Sequence, residues 1–194
     1  AFSSWDSGSS SRTEIDTVLV ERDLVARAVF LPAGEQIANG DFSSGLAGWT
    51  HWNDEALASS WTTRDGMACI RPGGRDSANS WKAQFDWSGL AVTTNEQYEL
   101  SFLAKSSVPR KVSIGIVQDY APNGGLSGGW TQALTPNLAR FNHTFKITKS
   151  GAPARLEFDI AADTAEICLD SVSLRKIKGQ TSVAPRSALS IALD

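Results

Sequence analysis

In Tyr98-Glu99-Leu100-Ser101-Phe102-Leu103, Tyr98, Leu100 and Phe102 fall on one side of an extended chain and Glu99 and Ser101 on the other. Leu156-Glu157-Phe158-Asp159-Ile160 repeats the same period of two. One apolar and one polar face at this period marks a half-buried antiparallel strand. Working outward, short segments of the same kind cover Ala68–Arg71, Ser80–Trp87, Val112–Gln118, Ala139–Ile147, Ala154–Ile160 and Glu166–Leu174. Turn residues separate them: Arg71-Pro72-Gly73-Gly74, Pro122-Asn123-Gly124-Gly125 and Ser127-Gly128-Gly129. No long helical pattern interrupts residues 36–178. The fold class expected is all-β: a jelly-roll β-sandwich of two antiparallel sheets.

The 194 residues suffice for one domain with a sizeable core and some extra length. We place an N-terminal extension, or the end of a preceding domain, at 1–35, the sandwich at 36–178 and a C-terminal tail at 179–194. Residues 1–12 are Ser-rich and read as mobile. Over 15–31, Val18, Val20, Val25 and Val29 suit strands, while Ile15, Val18, Leu19, Arg22, Val25 and Val29 also suit one helical face, so the element type stays open. In the tail, Ser182-Val183-Ala184-Pro185 reads as linker and Ala188–Leu193 is apolar. The start, Ala1-Phe2-Ser3-Ser4, is what a processed or trimmed protein shows.

A net charge of −3 points away from a nucleic-acid or anionic-membrane surface, and no apolar run is long enough to span a bilayer. There is no phosphate-binding Gly loop and no HExxH. The two histidines, His51 and His143, have no ligand-spaced partner. Carboxylates are scattered, and nothing marks a catalytic pair. Seven Trp against two Tyr is an unusual balance. Flat rings of this kind either fill a core or stack on sugar faces. Trp49 and Trp61 are assigned to the core, and Trp52, Trp81, Trp87 and Trp130 are candidates for exposure.

Four motifs then occur in order: Asn39-Gly40-Asp41-Phe42 with Gly48-Trp49, Trp81-Lys82-Ala83-Gln84, Gln97-Tyr98-Glu99-Leu100-Ser101-Phe102-Leu103-Ala104-Lys105, and Cys168-Leu169-Asp170-Ser171-Val172-Ser173-Leu174. In order and spacing they resemble the carbohydrate-binding modules of the family 4, 9 and 22 group, closest to the family 4 modules of bacterial secreted glycanases. The resemblance covers about residues 36–178. It implies a non-catalytic, monomeric, secreted module with a ligand groove on the concave sheet. Such a module binds single chains of β-glucan or xylan and targets an attached glycoside hydrolase. Two other classes stay open: a jelly-roll polysaccharide-degrading enzyme, and a structural sandwich that binds no free sugar.

The resemblance also implies the groove residues. Thr50 and Trp52 follow the Gly-Trp motif on alternate positions; Trp81 and Gln84 supply an aromatic and an amide; Asp86 and Ser88 continue that face by alternation. Gln118 matches an amide at a strand end, Tyr120 a stacking aromatic in the next loop, and Arg155 and Asp159 two polar groove residues. Strand geometry sets Arg155 and Asp159 about 13 Å apart, so they are expected to act separately. Cellulose binders carry amides at both places, whereas xylan binders are among the relatives with an Arg at the first. Trp81 could instead cover the core edge, and Arg155 and Asp159 could be solvated strand residues. A structural Ca2+ site is implied at Asp41, the Gly66 carbonyl and Asp170, with a turn cap as the alternative for Asp41. A Cys69–Cys168 disulfide is implied as well, the alternative being two buried thiols.

Overall fold

The structure is a computed structural model that describes residues 2–5, 28–30 and 34–177. A small two-stranded sheet pairs β1 (Phe2–Trp5) with β2 (Ala28–Phe30). Strand β1 falls inside the stretch expected to be mobile, and β2 takes the strand alternative for its part of 15–31. The rest of 15–31 and the expected tail lie outside the described residues.

Ten strands follow: β3 (Trp49–Asn53), β4 (Ser60–Arg64), β5 (Met67–Arg71), β6 (Ala83–Val92), β7 (Gln97–Ser106), β8 (Arg110–Gln118), β9 (Trp130–Leu134), β10 (Ala139–Lys146), β11 (Gly151–Asp159) and β12 (Ile167–Ile177). They form two antiparallel five-stranded sheets, ordered β10-β7-β12-β5-β4 and β3-β6-β11-β8-β9. From β5 to β12 the pairing is nested: β5 with β12, β6 with β11, β7 with β10, β8 with β9. Rolling that long double ribbon adds the pairs β7–β12 and β8–β11. This is the jelly-roll connection. The remaining strands, β3 and β4, extend one edge of each sheet. Sequence reading found seven of these ten strands. It missed β4 and β9, five residues each with little alternation, and it treated the β3 stretch only as a groove-facing pair. The segment expected as a strand from Ser80 begins with a turn of 3-10 helix, Ser80–Lys82.

The core lies between the sheets. Phe85 and Trp87 from β6, Tyr98, Leu100 and Phe102 from β7, Ile114 and Ile116 from β8, and Leu156 and Phe158 from β11 are all buried. Trp49 stacks on Phe85 at 4.7 Å, and its indole N–H donates to the Asn39 carbonyl at 2.9 Å. Asn39 in turn ties the opening loop: its side chain donates to the Gly45 and Ala47 carbonyls and accepts from the Ser44 N–H. A Cβ on Gly40 would come 1.7 Å from the Val172 carbonyl oxygen, so only glycine fits there. These contacts explain the Asn39-Gly40 and Gly48-Trp49 motifs. Trp61 is half-buried against the core as expected. Trp87 and Trp130 correct the expectation of exposure. Trp87 shares the core parity of Phe85 and is buried. Trp130 pairs opposite Ile114 and packs on Phe145 and His143.

Cys69 and Cys168 face each other directly in the β5–β12 register and form a disulfide, Cα atoms 4.1 Å apart. Their strand neighbours Ala68, Ile70, Ile167 and Leu169 point inward, so the bridge lies on the outer face of its sheet. Arg64, ion-paired to Glu166, covers both sulfurs at 3.7 Å.

The bridge closes a sequence separation of 99 residues. Chain-entropy bookkeeping for such a loop gives roughly 4–5 kcal/mol as an upper figure. We expect the Cys69→Ala/Cys168→Ala variant to fold but to lose several kcal/mol in urea unfolding. Intact-mass measurement of denatured, unreduced protein after alkylation should show no alkylated thiol; two alkylated cysteines would refute the bridge.

Candidate functional site

Strand register assembles one polar surface on the outer face of the β3-β6-β11-β8-β9 sheet. Because Phe85, Trp87, Leu156 and Phe158 point into the core, Gln84, Asp86, Arg155, Glu157 and Asp159 must point out. Two rows of paired residues then cross the strands. The first runs Trp52, Gln84, Asp159, Ser113, Thr131, and the second Thr50, Asp86, Glu157, Gly115. Arg155 opposite Val117 lies beyond them. Beyond Asp86 the alternation of β6 is reset by a bulge between the Trp87–Leu156 and Leu90–Ala154 pairs, with Gly89 at a positive φ of 78°.

These rows form the floor of a groove of about 760 Å³. One bank is aromatic. Trp52 and Trp81 are 46% and 47% exposed, and their rings lie nearly parallel at 6.1 Å. The other bank is the loop after β8, contributing Asp119, Pro122 and Asn123. A second compartment of about 330 Å³ shares Glu157 and Asp159 and continues over Ser113, Gly115, Val117, Gly129 and Thr131. With no side chain at Gly115 or Gly129, that stretch of floor stays low.

Of the nine groove residues expected from sequence, Thr50, Trp52, Trp81, Gln84, Asp86, Arg155 and Asp159 line this groove together. Gln118 and Tyr120 do not line it. Gln118 has the parity of core-facing Ile114 and Ile116, is buried, and donates to the Tyr120 hydroxyl at 2.9 Å. Trp81 stands exposed beside Trp52 and does not cover the core edge. Arg155 and Asp159 act separately as expected, because Glu157 lies between them and takes the guanidinium. Glu157 was missed, though the alternation that selected Arg155 and Asp159 passes through it. Asp119, Pro122 and Asn123 were missed because loop packing leaves no periodic trace.

The floor is strongly charged and poorly solvated. Arg155 is half-buried among Glu157, Asp119 and Asp86, with N···O distances of 2.6, 3.2 and 4.0 Å. Burial opposes its charge, but these carboxylates hold the guanidinium above its ordinary value. Asp86 is 5% exposed, and its Oδ1 is sealed from solvent with no hydrogen-bond partner. Burial pushes its carboxyl up to about 8; Glu157 adds to the rise and Arg155 opposes it. Asp159 is raised as well, by burial first and by Glu157 after it, with the Gln84 amide opposing at 3.5 Å.

At the implied calcium site, the structure shows Asp41 Oδ1 accepting from the Ser43 N–H and hydroxyl at 3.2 and 3.0 Å, a turn cap. Asp170 Oδ1 accepts from the Ser171 N–H. Gly66 follows Asp65 in the tight β4–β5 hairpin, both at positive φ. Leu169, next to Asp170, pairs with Ala68, two residues from Gly66, and the Gly40 carbonyl accepts from the Val172 N–H at 2.8 Å. The three segments therefore adjoin, and each carboxylate keeps one oxygen outside these bonds. Such a donor set suits a hard cation.

The raised carboxyls fix a pH dependence. The folded protein keeps the Asp86 proton up to about pH 8, whereas the unfolded chain loses it near the ordinary carboxylate value of about 4. Between those limits the native state binds more protons, so stability falls as pH rises. The contribution is complete below the lower limit and gone above the upper one. Asp76 and Glu96, whose carboxyls are lowered, act the opposite way but only below the ordinary range. We expect urea unfolding to lose on the order of 1–3 kcal/mol between pH 5 and 8, and Asp86→Asn to flatten that slope. Equal slopes in both proteins would overturn the assignment.

Comparisons with known proteins agree with this geometry. A family model described as a carbohydrate binding domain matches residues 34–165. No match was found among curated proteins. A solved CBM4 structure aligns with TM-score 0.64 and 21% identity, over 73% of this chain and 100% of the other. The second N-terminal cellulose-binding domain of Cellulomonas fimi β-1,4-glucanase C aligns with TM-score 0.62 and 22% identity, over 78% and 99%. The N-terminal CBM22 tandem domain of Paenibacillus barcinonensis Xyn10C aligns with TM-score 0.53 and 14% identity, over 82% and 50%. These structural likenesses speak for the shared sandwich. With the family match over most of the chain, they lead to one conclusion: this chain belongs to the carbohydrate-binding domain family, and its sandwich is a carbohydrate-binding module.

Proposed function

We propose that this module binds the interior of a single soluble polysaccharide chain, of β-glucan or xylan type, and targets an attached glycoside hydrolase to that substrate outside the cell. The observation that carries the reading is the exposed Trp52–Trp81 pair flanking a polar floor of Thr50, Gln84, Asp86 and Asp159. An aromatic ring stacks on the apolar face of a pyranose, and amide and carboxyl groups bond the hydroxyls at its edge. A crystalline surface calls for a flat row of rings; two rings at one bank of a groove suit one chain. The rows across the strands give that chain its direction.

Two raised carboxyls, Asp86 and Asp159, are the one observation that favours a hydrolase. Asp86 Oδ1, however, is sealed from solvent, which does not suit a proton donor to a glycosidic oxygen. Assaying reducing-sugar release from soluble β-glucan and xylan separates the two readings, and we expect none.

One or two stacking contacts and a few hydrogen bonds correspond to a Kd on the order of micromolar to millimolar. Affinity in calorimetry should rise with oligosaccharide length and then level off. Removing one ring costs about 1–3 kcal/mol, enough to abolish measurable binding from so weak a start. Trp52→Ala and Trp81→Ala should therefore fold normally and not bind, whereas Trp49→Ala should unfold. Two folded mutants that bind like wild type would place the site elsewhere.

A structural Ca2+ held by Asp41, the Gly66 carbonyl and Asp170 belongs to the same proposal. It would brace the opening loop against the β4–β5 hairpin and the bulged part of β12. A cation present at 100 times its Kd stabilises by about 2.7 kcal/mol. The melting temperature should rise from excess chelator to millimolar Ca2+, and Asp41→Asn/Asp170→Asn should remove the rise. No difference between the two conditions in the unmutated protein would count against the site.

A further inference from the structure

Two side chains tie down the bank opposite the tryptophans, beside the backbone bonds from the Gln118 N–H to the Gly124 carbonyl and from the Asp119 N–H to the Pro153 carbonyl. Arg155 emerges from β11 with its side chain 11% exposed. Its Nε and Nη2 donate to Glu157 Oε2 at 2.8 and 2.6 Å. Its Nη1 donates to the Gln118 carbonyl, Asp119 Oδ1 and Asn123 Oδ1, at 3.1, 3.2 and 3.3 Å. A guanidinium has five N–H donors, and nearly all are directed at the protein itself. Gln118 fastens the same loop from the core side. Its Oε1 accepts from the Gly124 N–H at 3.1 Å, and its Nε2 donates to the Tyr120 hydroxyl. The fit is close: a Cβ on Gly124 would come 2.9 Å from Gln118 Oε1.

We propose that Arg155 and Gln118 are positioning residues: they latch residues 119–124 onto the groove floor, fix the groove's width so that it takes unbranched chains, and do not themselves bond the glycan. The width claim rests on the groove being the glycan site, whereas the latch itself does not. Charge and shape both support it. Asp119 and Asn123 hang from one guanidinium that Glu157 anchors to the floor. Releasing that guanidinium frees the bank without touching the Trp52–Trp81 bank. Gln118 lies outside the groove lining, so any effect of removing its side chain on binding must travel through the loop.

The test uses the whole chain in three forms: Gln118→Ala, Arg155→Met/Glu157→Gln, and the two combined. Glu157→Gln keeps a bare carboxylate from being buried when the guanidinium leaves. Without ligand, amide hydrogen exchange at Asn123 and Gly124 should speed up about tenfold or more in either variant. In calorimetry with a linear cello-oligosaccharide and a side-branched xyloglucan oligosaccharide, the preference for the linear chain should fall about tenfold. The combined form should be no worse than either alone, since one loop is released once. Unchanged amide exchange, with affinity lost equally for both chains, would mean that these side chains contact the sugar, and the proposal fails. Faster exchange with an unchanged linear preference overturns the control of width. If wild type binds neither oligosaccharide, the glycan reading of the groove fails, and the exchange measurement still decides the latch.

Discussion

The groove depends on the pairing register of β6 with β11. Phe85 opposite Phe158 and Trp87 opposite Leu156 send four apolar side chains into the core. The same register sends Gln84 opposite Asp159 and Asp86 opposite Glu157 to the other face. A slip of β11 by one residue would bury Glu157 and Asp159 and expose Leu156 and Phe158. Burying one ionised carboxylate without partners already costs several kcal/mol, and burying apolar side chains returns about 1.5–3 kcal/mol each. Both terms favour the same register, so the core specifies the site. Trp49 completes the constraint: it stacks on Phe85 and so fixes β3, which carries Thr50 and Trp52.

The floor itself is a place where the fold tolerates a cost. Four carboxylates, Asp86, Asp119, Glu157 and Asp159, share one guanidinium among the described lining residues of the main groove. That guanidinium is spent on Glu157 and the loop, and Asp86 and Asp159 respond by holding their protons. A protonated carboxyl can donate as well as accept, so the raised carboxyls of Asp86 and Asp159 add hydrogen-bond donors to the floor. The same protein uses a buried guanidinium elsewhere as a strap. Arg110 of β8 donates to the carbonyls of Ile160, Asp163 and Ala165 and holds the loop between β11 and β12. Arg155 works likewise, with the difference that its strap borders the groove.

How much of this was legible in the sequence follows from what carries each feature. Strands with one buried face announce themselves by alternation, and Tyr98–Leu103 and Leu156–Ile160 were read correctly for that reason. Strands β4 and β9 are short edge strands, β4 largely exposed and β9 burying only Leu134, so no clear apolar period marks them. The motif residues Asn39, Gly40 and Gly48 pointed to the right family, and the structure supplies their cause in loop ties and close approaches. Trp87, a candidate for exposure, was left open between rim and core, although alternation from Phe85 already pointed it inward. Trp130 was misjudged because Gly128 and Gly129 before it resemble an exposed turn. Seven of nine groove residues converged because sheet register is a periodic property. Gln118 diverged because the strand period, kept to its last residue, turns it to the core side, and Tyr120 because it lies in the loop beyond that period.

The open sides of the sandwich show how its two sheets are held together. A sandwich of two open sheets has two sides where the core meets solvent, and here each side is closed by a histidine stacked on a tryptophan. At one side His51 of β3 meets Trp61 of β4 at 4.7 Å. At the other, Trp130 of β9 meets His143 of β10 at 4.0 Å. In each pair one residue comes from each sheet, so the stack bridges the gap that the edge strands leave. These are the two imidazoles of the sequence, and His51 also lines the groove. Between these two sides the groove carries the exposed rings of Trp52 and Trp81, the Gln84 amide, the Thr50 hydroxyl and the raised carboxyls of Asp86 and Asp159. Such groups can recognise a sugar's faces and hydroxyls, and the sheet register holds them still.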